Sequence, residues 1–217
     1  MYVRAQHRFP NPSDLLGLIE AHALATWVCT TPEGVLINHV PFFLDRSRGT
    51  HGTLVGHVAR ANPVWRGLES GGQASVLVFH GPQAYITPGW YPGKVAHGKV
   101  VPTWNYAVVH AHGVARAVHE AGWKLAMRER LSHAHEAAQA RPWRVDDAPA
   151  DHIDRKLRAI VGIEVPVERL EGKLKASQDE DLPDRLGTAA GLQQTDSDTS
   201  RAMGGWVVAT LDVEKNS

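Results

Sequence analysis

The sequence predicts a mainly β protein with flanking helices, its strands closed into an antiparallel, Greek-key-like barrel. Three observations carry this. Strand-like runs rich in β-branched and aromatic residues outnumber helical ones. Turn signals at residues 32–34 and at Gly81-Pro82 join neighbouring runs as hairpins. The steady alternation of strand and helix that a doubly wound parallel sheet requires is absent. With 217 residues, 43% hydrophobic and 21% charged, the chain is long and apolar enough to bury a core.

The elements follow in order. Residues 1–10 read as extended. Asn11, Pro12, Ser13 and Asp14 supply cap-type side chains and a first-turn proline, and Leu15, Leu16, Ile19 and Ala23 form one apolar helix face. Strands are expected at 25–31, 35–44 and 53–58. The third runs into Asn62 and Pro63, which cap and open a short helix through Trp65 and Leu68, ended by Gly71-Gly72. Strands at 74–80 and 83–87 precede a loop of Gly, Lys and His, then a long strand over 101–118. Residues 120–140 predict the longest helix, with Trp123, Met127, Leu131 and His135 on one face and Pro142 as its stop. Helical turns at 153–158, a strand at 159–167 broken by Pro166, a basic turn over 169–178 and a helix at 179–193 come next. Residues 194–200 cap a last short helix, and 206–213 (WVVATLDV) read as β. One domain is expected over 1–204, with helical insertions, and a C-terminal extension over 205–217.

Composition narrows the function. Lys plus Arg and Asp plus Glu are both 23, so the basic excess of a non-specific nucleic-acid binder is missing. The single cysteine, Cys29, excludes an intrachain disulfide and lies in an apolar run, as an inert buried thiol does. No signal peptide is expected, and no apolar run approaches the roughly 18 residues of a membrane span. A cytoplasmic location follows as the expectation.

Familiar motifs mostly fail. Residues 93–100 approach a P-loop, but Val100 stands where the magnesium-binding hydroxyl belongs and Pro102 opposes the required helix. No dinucleotide fingerprint occurs. His135-Glu136 lacks the second histidine of a zinc motif, because Gln139 occupies that position. His110 and His112 share a strand face without an identifiable third ligand, so no metal site is assigned. No helix-turn-helix is legible: 179–203 is the one helix–helix candidate, and its front is acidic.

Two stretches remain. The junction of the 53–58 strand with the next helix is expected to offer free backbone N–H groups beside Arg60, the ingredients of a phosphate site, though these residues taken alone fit an arginine solvating an ordinary junction better. Trp90, Tyr91, Trp104 and Tyr106 flank a basic loop. They are either core and interface residues or the mouth of a site for a flat anionic ligand.

Several segments, taken in order, resemble one family. They are Gly56-His57-Val58-Ala59-Arg60-Ala61-Asn62-Pro63 with Trp65, Phe79-His80-Gly81-Pro82 with Ala84-Tyr85-Ile86, Trp90-Tyr91, Val101-Pro102-Thr103-Trp104-Asn105-Tyr106, Pro142-Trp143, Ala159-Ile160-Val161-Gly162, and Glu171-Gly172-Lys173-Leu174-Lys175 with Ser177-Gln178. This order resembles the PaiB family, described as FMN-binding negative transcriptional regulators with a split β-barrel fold. Ala176 and Asp179 depart from the family's usual leucine and asparagine, and Gln83 and Gly89 from its frequent His and Ser. The resemblance implies FMN as cofactor, held by His57, Arg60, Asn62, Trp104, Asn105, Tyr106, Lys173, Ser177 and Gln178. Arg60 and Asn62 suit the phosphate. Lys173, Ser177 and Gln178 suit phosphate or ribityl oxygens, and residues 104–106 the ring. It further implies a homodimer with two equivalent sites and an indirect regulatory action. DNA binding is possible by the family description but has no sequence support. An FMN-dependent oxidoreductase is the alternative, and haem binding a weaker one.

Overall fold

The computed structural model describes residues 1–31 and 34–215. It holds β1 (Leu24–Thr31), β2 (Gly34–Pro41), β3 (Phe43–Asp45), β4 (Thr53–Ala59), β5 (Gln73–Ile86), β6 (Thr103–Val118) and β7 (Ile160–Lys175). Six helices flank them: α1 (Pro12–Ala21), α2 (Gly93–Ala96), α3 (Ala121–Glu136), α4 (Ala150–Arg158), α5 (Leu182–Gln193) and α6 (Asp198–Lys215). The strand order is β2-β1-β5-β6-β7-β4-β3, and β1 with β2, β1 with β5, β3 with β4 and β4 with β7 run antiparallel. The expected mainly antiparallel β fold with helices around it is what forms. Among the described residues, no helix is long and apolar enough to cross a membrane.

The chain divides into two compact units. The first comprises Met1–Ala21, His80–Val109 and the described chain from Glu171 onward; the second comprises His22–Phe79 and His110–Leu170. In the second unit, β1 buries Ala25, Trp27 and Cys29 on one face, as period-two alternation requires. The Trp27 indole donates to Ser75 Oγ at 3.0 Å and meets Phe42 edge-on. Burial pushes the Cys29 thiol up from its ordinary pKa, which keeps it unreactive. In the first unit, Ile19, Ile86, Leu174, Leu192 and Met203 are fully buried, and Phe9 packs edge-on against Trp206.

Five expectations are corrected. Gly81-Pro82 is no turn, because β5 runs straight through it. The buried positions there shift from odd to even numbers between Phe79 and Pro82. A Cβ on Gly81 would lie 2.8 Å from Leu18 and 3.2 Å from the Ala107 carbonyl, so this glycine serves close packing. Residues 169–175 are no basic turn but the end of β7. Pro166 does not break that strand because it pairs with Thr53, the first residue of β4, where that ladder ends. The 35–44 run is split into β2 and β3. Residues 206–213 are not β but part of α6: Met203, Val207 and Leu211 recur every fourth residue and are all buried, a period that outweighs the β preference of Trp-Val-Val. The turn expected at 32–34 lies outside the described residues except for Gly34.

Opposite signs are expected at two glycines. A Cβ on Gly113 would sit 2.2 Å from the Pro166 carbonyl oxygen, whereas one on Gly17 of α1 meets nothing within 4 Å. Urea denaturation should show Gly113→Ala destabilised by about 1–3 kcal/mol and Gly17→Ala stabilised by about 0.5–1 kcal/mol.

Candidate functional site

The nine residues expected to hold a cofactor fall into two groups. Trp104, Asn105, Tyr106, Lys173, Ser177 and Gln178 lie in the first unit; His57, Arg60 and Asn62 lie in the second.

The first group is organised by strand alternation. Residues 104 and 106 of β6 share one face, and residues 173 and 175 of β7, its neighbour in the sheet, share another such row. Between them, Asn105 and Leu174 are fully buried. Asn105 is locked to the loop that ends β7. Its amide nitrogen donates to Ser177 Oγ at 2.8 Å, and its carbonyl oxygen accepts from the Ser177 backbone N–H at 3.2 Å. Ser177 has φ of 61°, a left-handed conformation unusual for a residue with a Cβ. Gln178 closes the same loop, its Oε1 accepting from Ala176 N at 2.6 Å and its Nε2 donating to the Leu174 carbonyl at 2.8 Å. Asn105, Ser177 and Gln178 thus spend their polar atoms on one another and on the backbone.

What this locked backbone presents is Trp104, 53% exposed, with Tyr85 edge-on at 6.2 Å between centroids. Cations stand beside it. The Lys175 ammonium donates to the Thr103 hydroxyl and to the Trp104 carbonyl. The Lys173 ammonium lies 5.3 Å from the Tyr106 ring centroid and 5.9 Å from that of Tyr2. Lys175 and Tyr85 are absent from the nine expected residues; the alternation that puts 175 with 173 was the signal for the lysine. Asp179 is occupied elsewhere: it meets Gln6, His7 at 3.1 Å and Arg4 at 3.7 Å. Of the four aromatics around the basic loop, Tyr91 is buried and Trp90 packs on α5, where Gly187 and Gly191 leave room for it. Only Trp104 and Tyr106 remain available. The aborted P-loop has its own explanation, since the Gly93 N–H donates to Asp184 at 2.8 Å.

In the second unit, the strand-to-helix junction is more self-contained than expected. The N–H groups of Arg60, Asn62 and Val64 bond to the Ala59 and Ala159 carbonyls and to Asn62 Oδ1, so these three are not free. Asn62 caps the short 3-10 helix Pro63–Leu68 and also donates to Asn38 at 2.7 Å. Arg60 donates to the carbonyls of Arg158 at 2.8 Å and Ile160 at 3.3 Å, with its guanidinium 5.8 Å from the Trp65 ring centroid. His57 has a buried Nδ1 with no hydrogen-bond partner among the described residues. Burial first, then the charge of Arg128, hold its pKa below the ordinary value.

The family described as "Putative FMN-binding domain" matches residues 1–169. An uncharacterised protein of Emericella nidulans is 33% identical over 237 aligned residues, covering 94% of this chain and 94% of its own. The protease synthase and sporulation protein PAI 2 of Bacillus subtilis is 27% identical over 206 residues, again covering 94% of each. The solved FAD and heme binding protein of Mycobacterium smegmatis is 14% identical, with a TM-score of 0.55 over 84% of this chain and 79% of that one. This last likeness is one of fold, the split β-barrel.

Two outcomes are expected. Asn105→Ala strands the buried Ser177 hydroxyl and N–H and should cost about 2–4 kcal/mol in denaturant unfolding; Ser177→Gly, free of the left-handed penalty, should cost less than Ser177→Ala. The second concerns pH. His7, His22 and His57 are all held below 6.5 by burial. The unfolded chain then binds these protons first, so stability should be complete near pH 7 and fall as pH drops below about 6.5 through the folded values. Thermal melts across that range should show the loss, and His57→Gln should flatten part of it.

Proposed function

The chain belongs to the FMN-binding domain family, with the PaiB proteins, and we propose on that footing that it holds FMN against Trp104, Tyr106, Lys173 and Lys175 of the first unit. One observation carries the reading. An indole and two ammonium groups are displayed on a backbone that the buried Asn105–Ser177 pair holds still. A flavin needs a flat apolar partner for its ring and cations for its phosphate, and this donor set fits both. Trp104 offers stacking area at no cost in core packing, because it is already half exposed. Lys173 and Lys175 offer charge to phosphate or ribityl oxygens. Ser177 and Gln178 act by shaping the loop that positions the lysines. Arg60, with His57 and Asn62 beside it, is proposed as a separate contact for an anionic group. Its bonds to the Arg158 and Ile160 carbonyls leave further guanidinium N–H groups for that role.

A bound flavin supplies a reversible redox centre. In a PaiB-type regulator, flavin occupancy or redox state is then the signal, and we propose that regulation is indirect, through a homodimer.

Titration of FMN into the full chain, followed by flavin fluorescence, tests the site. Wild type should bind saturably. Trp104→Ala should relieve quenching of the ring, since stacking acts there. Lys173→Ala should weaken binding about fivefold to thirtyfold, as loss of a charge-assisted contact does. Equal affinity in wild type and both variants would remove the assignment; no binding in wild type would remove FMN as the ligand.

A further inference from the structure

The second unit contains a cleft that the flavin proposal does not use. It lies among α3, the 3-10 turn Val145–Asp147 and α4, and its volume is ≈ 1080 Å³. Its walls are apolar. Ile153 and Leu157 of α4 are buried, Trp143 and Val145 are half-buried, and Leu125 stands at the mouth. Its edge is anionic: Glu129, Glu136, Asp146 and Asp154 line it, against Arg144 and His133.

These carboxylates are unequal. Glu136 accepts the Trp143 N–H at 3.0 Å and so closes the loop onto α3. Glu129, Asp146 and Asp154 make no hydrogen bond or ion pair among the described residues, although Arg144 lies within the same lining. Arg128 adds a further cation nearby, its guanidinium 5.6 Å from the Trp143 ring centroid, which shows that this ring accepts a positive charge.

The two properties together select the occupant. Apolar walls of this extent disfavour a small hydrated cation, which would lose water without replacement ligands. An acidic edge disfavours organic anions, nucleotides and flavin phosphate. A ligand with an apolar body and a positive charge satisfies both, its body covering the walls and its charge facing free carboxylates. We propose that this cleft is a binding site for lipophilic organic cations, independent of the flavin.

The test uses two probes of the same shape and opposite charge, tetraphenylphosphonium and tetraphenylborate, titrated into the full chain by calorimetry. The phosphonium should bind saturably, one per chain, and the borate at least about tenfold more weakly. Glu129→Gln combined with Asp154→Asn removes two exposed charges and should weaken phosphonium binding about threefold to tenfold. Leu125→Lys places a cation at the mouth and should weaken the phosphonium while strengthening the borate. FMN titration and circular dichroism of both variants should match wild type, which shows that the fold and the flavin site are intact. Equal binding of the two ions, absence of saturable phosphonium binding, or unchanged selectivity in both variants would overturn the proposal. A variant that fails to fold is replaced by the other, since each perturbs the edge from a different element position.

Discussion

Everything proposed for the first unit depends on the two hydrogen bonds between Asn105 and Ser177. A buried primary amide is costly unless its donor and acceptor are both used, and here one serine uses both. The pair joins the start of β6 to the loop after β7, two segments some seventy residues apart in the chain. It also offsets the left-handed backbone of Ser177, whose penalty is roughly 1–2 kcal/mol. With that loop held, strand alternation places an indole and two ammonium groups on display while Leu174 stays in the core. Rigid support beneath an exposed surface is what lets a binding site keep its geometry without ligand.

Electrostatics act at the same place through neighbours. Asp179 follows the lysine-bearing strand end directly and would oppose an anion. The N-terminal segment engages it instead, through Gln6, His7 and an ion pair with Arg4. His7 is buried, and desolvation holds it towards the neutral form despite that carboxylate. The N-terminal ten residues therefore shape the charge of the lysine region, which no local reading of residues 173–179 reveals.

The strands were legible because period-two burial is local: β1 and β4 fall where β-branched runs place them. Gly81-Pro82 misled because glycine marks both turns and close approaches, and only Leu18 and Ala107, far off in sequence, decide between them. The helix at α6 was hidden because Trp-Val-Val favours strands locally, whereas the step from Met203 to Val207 to Leu211 needs a longer window. For the proposed site, the motif around Trp104-Asn105-Tyr106 drew notice to the stretch but not to the division of labour within it. Asn105 and Ser177 are polar, as ligand contacts are, yet their partners are each other. Lys175 escaped because a charged residue near a turn carries no signal until the strand is known to extend that far.

The most direct test of the account is whether the chain retains a flavin. The purified protein is mixed with excess FMN, freed of unbound ligand by gel filtration, and its visible absorption is compared with its protein content. Retention of close to one flavin per chain in wild type, and its loss in Asn105→Ala under conditions where that variant remains folded, is the predicted result. A wild-type protein that emerges colourless, or an Asn105→Ala variant that keeps its flavin as fully as wild type, would contradict it.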